Sequence, residues 1–180
     1  MSRATSRIWR KYGVFFSAFL YAVFLAVPAG AQRGPATPEE TVGWIEDVVI
    51  TPGDLEVRAK LDTGARTSSI NARHYETFDR DGKKWVRFSV TNREGITHSF
   101  EREIIRIGRI KRIKGKSQER PVIMLGICIG NIFRETQVNL VDRDGFNYQM
   151  LIGRRYMAKH LAVNPGRTLT TRPNCKEKAS

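Results

Sequence analysis

This 180-residue chain has little of what most metal- and nucleophile-based chemistries need. It carries three histidines, His74, His98 and His160, and two cysteines, Cys128 and Cys175. No His-Glu-x-x-His occurs, and the histidine spacings of 24 and 62 residues fit no compact zinc motif. No metal is expected. A Gly-rich phosphate loop ending in Lys and Ser or Thr is also missing, so neither ATP nor another cofactor is expected. Neither cysteine stands with a histidine in a pattern that marks a thiol nucleophile. Acids are outnumbered, 18 Asp and Glu against 31 Lys and Arg, for a net charge of +13. There is no tandem repeat and no low-complexity tract.

What is present begins with a basic, then apolar, N-terminus. Residues 1–31 hold Arg3, Arg7, Arg10 and Lys11, no acid, an apolar run over 13–27, Pro28, and then Ala29-Gly30-Ala31. These are the three parts of a secretory signal peptide. The apolar run is short for a permanent span, with an uncleaved anchor as the alternative. Either way the domain is expected outside the cytoplasm. Four of the 31 basic residues fall in this segment, leaving 27 against 18 acids, a net +9. Outside the cell, such a charge points to an anionic membrane surface, cell-wall polymer or acidic protein, not to nucleic acid. An oxidising compartment permits a Cys128–Cys175 disulfide tying the tail to an interior strand. The alternative is that Cys128 is a buried thiol in the apolar run 122–129.

After a polar, Pro-containing linker at 32–41, the chain reads as short strands between turn signals. Residues 42–50 are apolar and β-branched and end at Thr51-Pro52-Gly53-Asp54, a turn. In 55–61, alternation puts Leu55, Val57, Ala59 and Leu61 on one face, with Glu56, Arg58 and Lys60 on the other. Further strands are expected at 84–91, at 96–114 with an interruption at Gly108, at 121–129 and at 132–140. The apolar run 121–129 suits a strand covered on both faces. Asp79-Arg80-Asp81-Gly82 and Asp142-Arg143-Asp144-Gly145 read as hairpin turns. Only 72–78 and 155–161 leave room for a helix, and both are short. The fold expected is an all-β, barrel-like domain over 42–168, followed by a polar, frayed tail at 169–180.

The strand at 55–61 delivers Asp62-Thr63-Gly64 in immediate succession, continuing as Ala65-Arg66-Thr67-Ser68-Ser69. A loop that presents an Asp needs a Gly for close backbone approach and a Thr to anchor it by hydrogen bonds. That is the local design of an aspartic peptidase half-site. Two close carboxylates cannot both ionise readily, so such a pair shares a proton. One takes a proton from water while the other polarises the scissile carbonyl. Asp47, Asp54, Asp79, Asp81, Asp142 and Asp144 stand at strand ends or beside turn glycines and read as solvated turn carboxylates.

A second block, Leu151-Ile152-Gly153-Arg154, lies far downstream. Asp-Thr-Gly followed by two apolar residues, Gly and Arg resembles the retropepsin pattern. The segment from Ala59 to Ser69, and His160-Leu161-Ala162-Val163-Asn164-Pro165-Gly166-Arg167, resemble the retropepsin-like bacterial family often labelled "ATP-dependent zinc protease". The resemblance covers about residues 42–168. It implies a closed β-barrel with one short helix after Gly153-Arg154. It implies an aspartic endopeptidase that cuts protein or peptide substrates and, in a Gram-negative source, lies in the periplasm. One chain supplies one Asp-Thr-Gly, so it also implies a homodimer with Asp62 of each chain at the two-fold axis. Thr63 would brace the partner loop and Gly64 would allow close approach. The zinc and ATP of the label find no counterpart in the residues.

In retropepsins the Arg of the second block is held by an Asp shortly after the catalytic one. Here Ala65-Arg66-Thr67-Ser68 contains no acid, so Arg154 needs another partner or the backbone carbonyls of the Asp62 loop. Thr67, Ser68 and Ser69 are candidates for supporting that loop. The stretch 106–120 holds seven Lys and Arg and one acid, in the interval where retropepsins place a flap. A basic flap would favour acidic substrates or an anionic surface, and it is equally readable as a solvated charged hairpin. The second functional reading is a non-catalytic binding or regulatory module on this fold, associated with an ATP-grasp ligase or a membrane protein.

Overall fold

Strand alternation organises the domain around two ends of one chain. The computed structural model describes residues 39–110, 117–141 and 147–175. The expected signal peptide at 1–31, most of the expected 32–41 linker, the expected turn at 142–145, four cations of the basic stretch and residues 176–180 lie outside the described residues. In chain order the elements are β1 (Glu40–Thr51), β2 (Leu55–Leu61), β3 (Ser68–Asn71), β4 (Glu76–Arg80), β5 (Lys83–Thr91) and β6 (Thr97–Glu103). There follow β7 (Arg106–Ile110), β8 (Gln118–Ile129), β9 (Ile132–Val141), β10 (Met150–Ile152), α1 (Arg154–Met157) and β11 (Leu161–Thr168).

The main sheet runs β11-β1-β2-β10-β3-β9-β8-β7, and β1 also pairs with β8. That last pairing closes β1, β2, β10, β3, β9 and β8 into the expected barrel. In β2 the alternation resolves as read, with Leu55, Val57, Ala59 and Leu61 buried. From Pro121 to Ile129 β8 is buried except at Met124, as a strand covered on both faces should be. Ile50, Ile70, Ile123, Ile127, Leu140 and Ile152 fill the barrel with at most 1 % exposure. Each stabilises the fold by about 1.5–3 kcal/mol. A separate sheet, β4-β5-β6, lays Val86, Phe88, Val90 and Phe100 against the same core. Phe88 and Phe100 stack there at 5.2 Å between ring centres.

Three local expectations are corrected. Residues 72–78 are not helical. Ala72 donates to the Val141 carbonyl, His74 turns the chain at φ 53°, and Glu76 opens β4. Pairing of 76–80 with β5 outcompetes a helix that would have had almost no apolar stripe. The helix at 155–161 is one turn, Arg154–Met157, because Lys159 at φ 69° breaks it and Leu161 is drawn into parallel pairing opposite Glu40. The long strand 96–114 breaks at Ile104–Ile105, not at Gly108. There the chain leaves the small sheet, Ile104 bonding Lys84, and enters the barrel, Ile105 bonding Val122. Gly108 lies inside β7, where an added Cβ would sit 3.0 Å from Asn139 Oδ1 and 3.2 Å from Val122 Cγ2. It lets β7 lie close against its neighbours.

The tail is bonded rather than frayed as far as Cys175. Cys128 and Cys175 form a disulfide, and Asn174 donates to the Gly130 carbonyl at 2.7 Å. Upstream, Glu46 is fully buried. Its Oε1 accepts from Gly43 N at 2.6 Å, Thr170 N at 3.0 Å and Thr170 Oγ1 at 2.6 Å. Its Oε2 accepts from Thr171 N at 3.1 Å and Thr171 Oγ1 at 3.2 Å. Burial alone raises the pKa of this carboxyl, but the hydrogen bonds from Thr170, Thr171 and Gly43 outweigh it and hold the group below its ordinary range. The carboxylate stands in for a strand neighbour that the tail lacks.

Candidate functional site

The Asp62 loop grows directly out of the barrel. β2 pairs in parallel with β10, Leu61 opposite Ile152, and Asp62 N donates to the Ile152 carbonyl at 2.8 Å. The chain then turns sharply. Asp62 Oδ1 accepts from Gly64 N at 2.9 Å and Ala65 N at 3.2 Å, and the Asp62 carbonyl also accepts from Ala65 N at 3.2 Å. The side chain thus folds back on its own loop as an Asx turn. It leaves Oδ2 without a protein donor among the described residues. Asp62 is half-buried, and Thr63 and Gly64 are exposed. A carboxylate fixed by backbone donors yet open to solvent can meet a water or a second carboxylate.

Below the loop the second block is joined to it at every step. Leu151 pairs with Lys60 and Ser69, and Met150 pairs with Ala59 and Ile70, so β10 is wedged between β2 and β3. Gly153 N donates to Ser68 Oγ at 3.0 Å, and Asn139 Nδ2 donates to the Ser68 carbonyl at 3.2 Å. Gly153 has no room for a side chain. An added Cβ would lie 2.7 Å from the Thr67 carbonyl carbon and 2.9 Å from Ser68 N. Arg154 N and Arg155 N donate to the carbonyls of Ala65 and Arg66 at 2.9 and 3.0 Å.

Arg154 itself answers the missing acid. Its Nη1 donates to the carbonyls of Thr63 at 2.7 Å and Gly64 at 2.8 Å. The guanidinium therefore holds the tip of the Asp62 loop by backbone oxygens, which need no particular side chain in the loop. Ser68 and Ser69 are buried and Thr67 and Ala65 half-buried under the same turn. The sequence motifs are thus assembled as one unit: Asp62 at the surface, Thr63 to Ser69 curling beneath it, and Leu151 to Arg154 as the base.

Sequence reasoning passed over several neighbours. Asn139, which steadies Ser68, is marked by the sequence only as part of a strand. Trp44, Lys60, Val163 and Pro165 line an open depression that includes Asp62 and Thr63. Lys60 Nζ lies 5.9 Å from the Trp44 ring centre, and Trp44 meets Tyr148 edge-on at 6.3 Å. The alternation in β2 put Lys60 on the outer face, but no local signal joined it to residues about a hundred positions away. Tyr156, fully buried beneath, donates to the Ile132 carbonyl at 2.7 Å, with the Ile127 carbonyl at 3.2 Å. Burial pushes its phenol well above the ordinary range. The expected flap stretch forms the antiparallel pair β7–β8, with β7 at an edge of the main sheet. Its residues 111–116 lie outside the described residues.

His74, His98 and His160 stand on separate elements: a turn after β3, β6, and the turn before β11. Among the described residues no group of three or more His, Cys, Asp or Glu could hold a metal ion. Apart from Asp62, neither 62–69 nor 150–157 contains an acid, so this loop offers one carboxylate per chain.

Comparison with known proteins agrees with this geometry. A solved structure from Legionella pneumophila, a protein described as of unknown function, superposes with a TM-score of 0.65 at 33 % identity. It covers 75 % of this chain and all of that one. Curated relatives named probable alpha-L-glutamate ligase are 36 % identical over 112 residues in Shewanella pealeana and 34 % over 113 residues in Desulfotalea psychrophila. Those matches take in 61 % of this chain but 24 % of each relative, so the chain spans about a quarter of their length. The family described as RimB-like, retropepsin-like aspartic endopeptidase RimB, matches residues 41–174, and the chain belongs to that family.

Proposed function

We propose that this protein is an aspartic endopeptidase that works as a homodimer outside the cytoplasm, in the periplasm of a Gram-negative cell. The Asp62 carboxylates of two chains would face each other and share one proton. The ionised one takes a proton from water as general base, and the protonated one polarises the scissile carbonyl as general acid. The roles are interchangeable by symmetry. The observation that carries this reading is the Asp62 turn itself. A carboxylate is clamped by Gly64 N and Ala65 N on a loop held from below by Arg154, while neither 62–69 nor 150–157 supplies a second carboxylate. Two such half-sites make one site.

The basic hairpin and the net charge favour an acidic peptide as substrate. The relatives' name adds a reason to choose glutamate-bearing peptides, because this domain accounts for about a quarter of proteins called glutamate ligases. The same relatives support the second reading, a binding module that delivers or restrains a ligase's substrate without cutting it. Cleavage of an unbiased peptide mixture, followed by mass spectrometry, separates the two. Parent protein and Asp62→Ala are compared with and without chelator. The peptidase reading expects cuts by the parent alone, unaffected by chelator. Folded parent that cuts nothing from acid to neutral pH leaves the binding module, and cuts abolished by chelator move the case to a metal.

A further inference from the structure

β7 stands at an edge of the main sheet and pairs with β8 alone among the described residues. Unpaired N–H and C=O groups beside apolar side chains invite another chain, so an open edge is normally kept polar. This one is not. Seven large hydrophobic residues are exposed among the described residues, and three of them, Ile105, Ile107 and Ile110, fall within six consecutive positions. Their exposures are 41, 49 and 40 %. Ile107 and Ile110 are three positions apart, so they stand on opposite faces of the strand and flank its open edge.

Positive charge is concentrated at the same place. Residues 106–120 carry seven Lys and Arg against one acid, which makes six of the nine net positive charges found outside residues 1–31. On the other strands cations are matched. Arg80 and Arg87 share Glu101, Lys83 meets Glu103, Lys84 meets Asp79 and Arg58 meets Asp47. Here the one acid, Glu119, holds Arg109 at 3.0 Å. Ile110 faces Gln118 in the ladder, and the sequence joining them contributes Lys111, Arg112, Lys114 and Lys116 with no acid.

These features select among occupants of the edge. A second copy of β7 would bring like charge against like charge. A nucleic acid gains little from three isoleucines, and 104–121 has no aromatic side chain on which a base could stack. Aliphatic side chains interleaved with cations match an anionic bilayer. The cations meet lipid phosphates, and the aliphatic groups enter the boundary between headgroups and acyl chains. At that depth the open backbone groups of the edge still meet water and phosphate oxygens, which the hydrocarbon would deny them.

We propose that the open edge of β7 docks on an anionic lipid surface, with Ile105, Ile107 and Ile110 entering the headgroup boundary. This goes beyond the peptidase reading and does not need it. Every strand and the core lie after residue 39, so protein lacking residues 1–31 is used. It is mixed with vesicles of phosphatidylcholine, alone or in equal parts with phosphatidylglycerol, and pelleted. Each cation that reaches an anionic surface strengthens binding about fivefold. At low salt the mixed vesicles should therefore bind at least about a hundredfold more tightly than the neutral ones. Most of that preference should vanish at about 1 M salt, where charges are screened within about 3 Å. Ile107→Thr and Ile110→Thr keep a β-branched side chain. Each should weaken binding about tenfold with an unchanged melting temperature. Ile96→Thr alters an isoleucine 53 % exposed just before β6 and should change nothing. No binding to the mixed vesicles, equal binding to neutral ones, unchanged binding in folded Ile107→Thr and Ile110→Thr, or an equal loss in Ile96→Thr would each overturn the docking edge. Self-association without lipid that both β7 variants abolish would assign the edge to a second copy instead. Tighter binding of a DNA duplex than of the mixed vesicles would assign it to nucleic acid.

Discussion

Replacing Glu46 by Gln tests how the tail is fastened. The carboxylate accepts five hydrogen bonds, three on Oε1 and two on Oε2. Glutamine keeps the volume but offers one oxygen and one NH2. Whichever way the amide turns, its NH2 meets at least two donors, among them backbone N–H groups that cannot rotate away. A buried donor left without an acceptor costs about 1–3 kcal/mol, and hydrogen bonds to a charged group contribute about 1.5–3 kcal/mol. Partial relaxation of the threonine hydroxyls and of the tail puts the net cost at roughly 3 kcal/mol. For a domain of this size that is a drop in Tm of about 6–12 °C. The assay is urea unfolding of parent and Glu46→Gln at neutral pH and at acid pH. The folded pKa of Glu46 lies below its reference value of 4.5. Its contribution is therefore complete above the unfolded pKa and is lost as pH falls through the folded one. The gap between the two proteins should be widest at neutral pH and narrow in acid. A variant within about 0.5 kcal/mol of the parent at neutral pH would refute the reasoning.

Other outcomes follow from the same contacts. Gly153→Ala should destabilise the domain by at least about 2 kcal/mol, since its Cβ would lie 2.7 Å from backbone; a calorimetric melt matching the parent would count against the packing described. Arg154→Ala should cost only about 1–2 kcal/mol of stability, because the freed carbonyls can turn to water, yet should abolish most peptide cleavage, with Arg154→Lys recovering a part. Equal losses of stability and activity would contradict the positioning role. Reducing the Cys128–Cys175 bond, which spans 47 residues, should lower stability by about 2–4 kcal/mol by the chain-entropy account, read as a shift in urea midpoint with and without reductant.

The parts of this architecture legible in the sequence are those fixed by neighbouring residues. Leu55 to Leu61 alternates, so its buried face and its delivery of Asp62 follow from period two. Asp81-Gly82 carries positive φ at both positions, as a tight hairpin between β4 and β5 requires. What was not legible depends on partners distant in the chain. Residues 72–78 have no strong helical stripe, and pairing with β5 decides them. Glu46 reads as an ordinary polar strand position until Thr170 and Thr171 arrive. Arg154's bonds are to main-chain oxygens, which no side-chain pattern announces. The exposure of Ile107 and Ile110 follows from the place of β7 at the sheet's edge, which only the order of strands in space sets.

The most direct measurement mixes parent protein with Asp62→Asn in varied proportion, allows subunits to exchange, and follows peptide cleavage per total protein. If one site needs the Asp62 of both chains, activity falls as the square of the parent fraction, so an equal mixture keeps about a quarter of the parent's rate. A rate of about half, falling in proportion to the parent fraction, would mean that each chain works alone and would contradict the shared site.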